Sequence, residues 1–422
     1  MIGMFRINKM VAAATAIAML TVLASCGKKP DQSETSSSAS QSTTTQGLET
    51  TIIETSSKQT TTTTEAPSMN TTTKKTVGSK TSKSSTTTTK PSLGIPSAAQ
   101  VGSASFKPGT LFKGATLDYR KAGESFTLGA WWWDLKGIVE PVNGVSVDMI
   151  LDMLIANNVN EIYLDVSKML PLDEELAQGG LTEDDKKAGL VSERHVRGFI
   201  KKCNKYGIRV SALTGAAGDS VLRWIDPANK YFYIKSFIDK IAAYQSYVAA
   251  DEKFSAIHLD VEPHTHNSWK KNRAKYTQWL AGFVIETRKL CDKVNLPLEF
   301  DIWSWFRDYD TVKDETGATV NILDVMTKNC SALGIMSYFY TGAGQFDRAT
   351  DLELEYAKKN NCRLIAGTET IKLPERNVTY YYAGKEKLIA EQSILRSKLD
   401  ECGYKKVGGA IHHVYAWYAL VK

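Results

Sequence analysis

From residue 127 onward, short β-branched and aromatic runs alternate with longer amphipathic segments. The runs are 127–133, 161–167, 208–214, 256–261, 298–303, 333–338, 363–368 and 410–415. Between them lie helical patterns at 147–157, 193–206, 231–248, 274–294, 352–359 and 385–402, several closed by turns such as Tyr206-Gly207 and Cys402-Gly403. Eight strand-then-helix units in one chain predict an α/β fold, a single (β/α)8 barrel, with a doubly wound open sheet as the alternative. No G-x-G-x-x-G or G-K-[ST] loop follows any of the strands, which speaks against the open sheet and against nucleotide chemistry.

Composition divides the chain sharply. Of its 40 aromatic residues, 39 follow Gln100, beginning at Phe106, so the folded part starts near residue 105 and runs to 422. Residues 27–104 are mostly Thr and Ser and carry too little apolar surface to offset chain entropy; they are expected to be a disordered spacer. The net charge of +6 is concentrated in the leader and spacer, leaving the folded part nearly neutral and without basic runs. That excludes the electrostatic footprint of a nucleic-acid partner.

The first residues combine Arg6 and Lys9, an apolar stretch from Met10 to Leu23, and Leu23-Ala24-Ser25-Cys26-Gly27. This resembles a bacterial lipoprotein signal peptide over residues 1–25 with its lipobox. The resemblance implies a lipidated Cys26 as the mature N-terminus, residues 26–104 as tether, and a location on the extracytoplasmic face of the cell membrane. Cys203, Cys291, Cys330, Cys362 and Cys402 are odd in number, irregularly spaced and free of any C-x-x-C, so they read as small core residues. A monomer is expected.

Alternation along the strands points to the chemistry. In Ile257-His258-Leu259-Asp260-Val261-Glu262, the apolar set faces the helices and His258, Asp260 and Glu262 face the barrel interior. By the same rule Tyr163 and Asp165 on strand two, and Asp301 and Trp303 on strand five, point inward. Asp260 and Glu262 share a face closely enough for one proton to be held at raised pH, which suits a general acid. Glu369, after Gly367-Thr368 on strand seven, is a second inward carboxylate and a candidate nucleophile opposite Glu262. Aromatics gather at the strand ends. Trp133, Trp303, Trp305, Tyr340, Tyr415 and Trp417, with His413 beside them, are candidate sugar-stacking and sugar-binding residues.

The segment ending Asp260-Val261-Glu262 and the strand-six run Met336-Ser337-Tyr338 resemble the D-x-D-x-E and M-x-Y elements of chitinase-like family 18 glycoside hydrolases. The acids closing strands four and seven are similar to the retaining clan A arrangement. Ser255 and His258 stand where the family 18 pattern has its first two Asp, and Val261 stands where clan A has Asn. The first resemblance implies Glu262 as acid, with Asp260 orienting a substrate acetamido group and Tyr338 donating a hydrogen bond to it. The second makes Glu369 the attacking group. Both imply a glycan substrate and require no cofactor. Two other readings stay open: a barrel that binds carbohydrate without turning it over, and a metal-dependent hydrolase built on His258, His264 and His266.

Overall fold

The computed structural model describes residues 95–307 and 310–422; the lipobox, Cys26 and the Ser/Thr-rich segment lie outside the described residues. Residues 96–422 belong to one compact unit. Eight parallel strands close on themselves in sequence order: β1 (Thr127–Trp132), β2 (Glu161–Asp165), β3 (Arg209–Ala216), β4 (Ile257–Val261), β5 (Leu298–Trp303), β6 (Ala332–Met336), β7 (Arg363–Glu369) and β8 (Val407–His412). Each is followed by a helix that covers the barrel: α1 (Val147–Ala156), α2 (Glu193–Lys205), α3 (Phe232–Gln245), α4 (Trp269–Lys293), α5 (Ile322–Asn329), α6 (Glu353–Asn360), α7 (Lys385–Glu401) and α8 (Val414–Val421). The expected (β/α)8 barrel is the observed fold.

Local chemistry sets the helix starts. Ser146 caps α1 by accepting from the Met149 amide, Ser192 caps α2 by accepting from Arg194, and Asn321 caps α5 by accepting from Leu323. The strands' apolar outer residues meet the inner faces of the helices in one continuous core; Ile162, Leu259, Phe300 and Ile411 are all fully buried there. A second, smaller cluster of Trp131, Tyr163, Leu213, Ile365 and Ala410 fills the lumen.

The segment before β1 is part of this unit. Asp152 on α1 accepts from the Leu111 and Phe112 amides at 2.6 and 2.7 Å, and Asn157 accepts from Leu117 at 2.6 Å. Phe112, Leu117, Tyr119 and Phe126 are buried along the way. Cys203, Cys291, Cys330 and Cys362 are buried and all five cysteines of the barrel are free. Among the described residues no helix is long and apolar enough to cross a membrane.

The last unit departs from expectation. The strand expected at 410–415 lies at Val407–His412, and an eight-residue helix that the pattern did not predict follows it. The Gly408-Gly409 pair reads as a turn in sequence. In the barrel it is a place of close approach, where a Cβ at Gly409 would collide with the Tyr119 ring and one at Gly408 would sit 2.7 Å from the Thr127 carbonyl oxygen. Helix α5 and the short helix Gly342–Thr350 were likewise not predicted.

Candidate functional site

The inward residues stack in layers from the N-terminal end of the barrel to its C-terminal mouth. At the base, Arg363 on β7 donates to both Glu161 oxygens at 2.6 and 3.1 Å and to Glu299 at 2.6 Å. One layer higher, His258 bridges two acids, with Nδ1 3.2 Å from Glu299 and Nε2 2.8 Å from Asp301. Burial works against a charged ring, but Asp301 and Glu299, one on each nitrogen, raise His258 to about 10. Tyr163 stacks on it at 4.0 Å between ring centroids, an arrangement that favours the cation.

Asp301 is the joint between these layers and the mouth. Its Oδ2 accepts from Trp131 Nε1 at 2.8 Å as well as from His258. Gly334 on β6 leaves room for this carboxylate, since a Cβ there would overlap Asp301 Oδ1. Asp260 is its direct register partner on β4, and neighbouring strands lie only about 5 Å apart. Two like charges at that spacing repel. Burial first, and then Asp301, lift Asp260 above the ordinary carboxylate range, with His412 and His258 acting in the other direction. Asp260 is buried, and among the described residues its Oδ1 has no hydrogen-bond partner.

Glu262 follows β4, its amide bonded to the Ala216 carbonyl at 2.8 Å so that the ladder continues past the strand. It is partly accessible at the mouth. Burial, then Asp260 and Asp301, push its carboxyl well above the usual range. Tyr338, two residues beyond β6, is partly exposed beside the same acids; burial and the Glu369 charge raise its phenol far up, leaving it a neutral O–H donor. The inward set His258, Asp260 and Glu262, and Asp301 beside it, are thus brought together as the alternation required.

Across the lumen, Glu369 and His412 are register partners on β7 and β8. Glu369 is buried, with Oε1 accepting from the Thr370 and Ile371 amides at 2.7 and 2.8 Å and both oxygens within 3.1 Å of His412 Nδ1. Trp133 Nε1 donates to His412 Nε2 at 2.8 Å. An indole N–H can only donate, so this bond favours the neutral ring with its proton on Nδ1. Burial also disfavours charge, while Glu369, Asp260 and Asp301 pull the His412 pKa upward. Glu369 therefore stands inward as expected, but as the partner of a histidine and two backbone amides.

On β8, Gly408, Ala410 and His412 face inward, and the expected binding residues His413 and Tyr415 lie past the strand's end. His413 lies just past the strand, its ring lowered to about 3 by burial; Tyr415 packs outside the lumen on Trp132. Trp417, expected at an exposed strand end, is fully buried in α8 within the core between helices and barrel. Trp303 is only 2% exposed, packed by His264, Trp269 and Phe306 within the core between helices and barrel. Trp305 and Tyr340 are accessible, Tyr340 with Lys387 5.3 Å from its ring. Asp165 closes β2 and accepts from the Ser167 amide and hydroxyl at 2.9 and 3.1 Å.

The three histidines of the metal reading diverge. His258 is in the lumen, His264 lies among tryptophans and is lowered to about 3 by burial, and His266 bonds Ser268. Among the described residues no group of three or more His, Cys, Asp or Glu side chains is placed to hold a metal ion. The sequence reading missed Trp131 as the donor to Asp301 and His412 as the inward register partner of Glu369; the strand's end at His412 was the signal for the second.

No protein-family model and no curated protein matches the chain. Among solved structures, it is similar to the Group II chitinase catalytic domain 2 of Ostrinia furnacalis, at 15% identity over 58% of this chain and 64% of that one, TM-score 0.37. It is also similar to a chitinase of Chromobacterium violaceum, at 15% identity over 58% and 69%, TM-score 0.34. A third is a GH18 chitinase from the chitin utilization locus of Flavobacterium johnsoniae, at 14% identity over 69% and 89%, TM-score 0.37. The chain spans just under two thirds of the first. Fold and site define a (β/α)8 barrel whose C-terminal mouth holds coupled acids and accessible aromatics. What that mouth can do is read from its own residues.

Proposed function

We propose that this chain is a glycoside hydrolase displayed at the cell surface, cleaving an extracellular or cell-wall glycan through Glu262 and Asp260. The observation that carries the reading is the pair itself: a carboxyl at the mouth that burial and Asp260 push well above its ordinary range, two residues from a buried Asp260 whose Oδ1 lacks a partner among the described residues. Glu262 protonates the glycosidic oxygen as the bond breaks. Asp260 accepts from the substrate, and an acetamido N–H supplies the missing donor; its carbonyl oxygen, steadied by the Tyr338 hydroxyl, then supports the developing charge at the anomeric carbon. Glu369, with both oxygens engaged, orients His412 and does not attack. Trp133, Trp305 and Tyr340 offer rings to neighbouring sugars.

The test uses acetylated chito-oligosaccharides and peptidoglycan fragments as substrates. Glu262→Gln is expected to remove hydrolysis, Asp260→Asn to lower kcat about 100-fold or more, and Glu369→Gln to retain most of it. Equal rates in all variants sink the proposal. Glycan binding by a wild-type protein without turnover replaces it with the non-catalytic barrel. For the anchor, Cys26→Ala is expected to abolish lipid labelling and release the protein from membranes; unchanged membrane retention refutes it.

A further inference from the structure

The barrel has a second opening, at the N-terminal ends of its strands. A cavity of about 500 Å³ lies there, lined by Arg209, Arg363, Lys405 and Lys406 with the hydroxyls of Ser125 and Thr127. These residues start β1, β3 and β7 or directly precede β1 and β8, so they converge from around the barrel rim at the pole away from Glu262.

The charges at this opening do not balance. Arg363 is committed to Glu161, Glu299 and the Thr127 hydroxyl. Arg209 gives one contact to Glu161 at 3.2 Å and is half exposed, leaving most of its N–H donors free. Compensation of the two buried acids accounts for these two arginines. It does not account for Lys405 and Lys406, which are exposed and have no carboxylate within ion-pair distance among the described residues; Lys406 reaches only the Asn361 carbonyl, at 3.3 Å. Four cations thus face at most two carboxylate charges.

We infer that this opening is a binding site for a phosphate-type oxyanion. The surplus is about two positive charges, which matches a dianion. The free donors are two ammonium groups, a guanidinium edge and a serine hydroxyl, and a tetrahedral anion accepts from such divergent directions. The inference goes beyond the hydrolase reading and does not depend on it.

Thermal unfolding of the purified protein in sodium phosphate and in sodium chloride at equal ionic strength tests the site. Phosphate is expected to raise Tm by about 2 °C over chloride once it exceeds its dissociation constant about tenfold. The double variant Lys405→Ser/Lys406→Ser, altered only at exposed positions, is expected to lose that increment, and Arg209→Gln to reduce it. Glu262→Gln is expected to keep it, which separates this site from the mouth. No increment over chloride, or an unchanged increment in the double variant, overturns the proposal. Repeating the titration with polyglycerol phosphate assigns the source: tighter binding per phosphate than the free ion indicates a phosphodiester polymer, and equal or weaker binding indicates a small anion.

Discussion

The raised pKa of Glu262 is the quantity on which the proposed chemistry turns, and Asp260→Asn perturbs it with little change in shape. Two unit charges about 7 Å apart, the Cα spacing of residues i and i+2 on a strand, interact by about 2.4 kcal/mol at an effective dielectric of about 20. At about 1.36 kcal/mol per unit, that is just under two pH units. Burial, the largest cause of the shift, and Asp301 both remain in the variant. The Glu262 midpoint should therefore fall by one to two units, roughly, yet stay above an ordinary Glu. Side-chain carboxyl 13C titration of wild type, Asp260→Asn and Glu262→Gln reads the midpoint without any substrate, the last variant supplying the assignment. Wherever turnover is measurable, the alkaline limb of the kcat profile should move down by the same amount. An unmoved or raised midpoint would show that the two acids are not electrically coupled, and the case for Glu262 as the acid would fail with it.

Other consequences are as sharp. Removing Arg363 as Arg363→Met leaves Glu161 and Glu299 buried without their shared cation and should cost about 3–5 kcal/mol in urea unfolding at neutral pH; a loss under about 1 kcal/mol would contradict the base network. His412 has a folded pKa above its ordinary 6.5, so its charge contributes stability that is fully present below about pH 6.5 and fades as pH rises through the folded value. Glu369→Gln should therefore destabilise more at pH 5.5 than at pH 8.5, and ring 15N titration should show the His412 midpoint falling. Trp133→Phe removes the donor that favours the neutral ring and should move that midpoint up. Trp417→Ala should cost about 3–5 kcal/mol without touching glycan affinity, whereas Trp305→Ala should weaken glycan binding several-fold with little effect on Tm.

Much of the barrel was legible because a strand between helices and a filled lumen must alternate two kinds of side chain. On β4 that alternation assigned His258, Asp260 and Glu262 to the lumen, and the structure brings them there beside Asp301. It failed on β8 for a physical reason. Val414–Val421 is apolar nearly throughout, so it carries no period that separates helix from strand, and Gly408-Gly409 imitates a turn. The strand lies three residues earlier than expected, so it ends at His412, and the candidates His413 and Tyr415 fall beyond it. The cross-barrel partners were beyond any local pattern: Trp131 and Asp301 are 170 residues apart, and Arg363 and Glu161 are 202 apart.

The layers also account for why the proposed acids gather at the mouth. Rising through the lumen, charge alternates from Arg363 to Glu299, to His258, to Asp301, each bonded to the next at 2.6, 3.2 and 2.8 Å. Every acid along this ladder has a cation beneath it, and Glu299 is held down at about 2 because His258 and Arg363 outweigh its burial. The ladder ends at Asp301. The next acid, Asp260, meets a carboxylate in register and no cation bonded to it, and Glu262 meets Asp260 in turn. Unmatched charge and the tendency to keep a proton are thereby passed upward to Asp260 and Glu262. His412 faces this pair from β8, and its own proton is contested between Glu369 and Trp133. A substrate donor arriving at Asp260 favours the ionised carboxylate there, and an ionised Asp260 strengthens the hold of Glu262 on its proton. In the proposed reaction, binding and acid strength at the mouth are therefore coupled through the same pair of carboxyls.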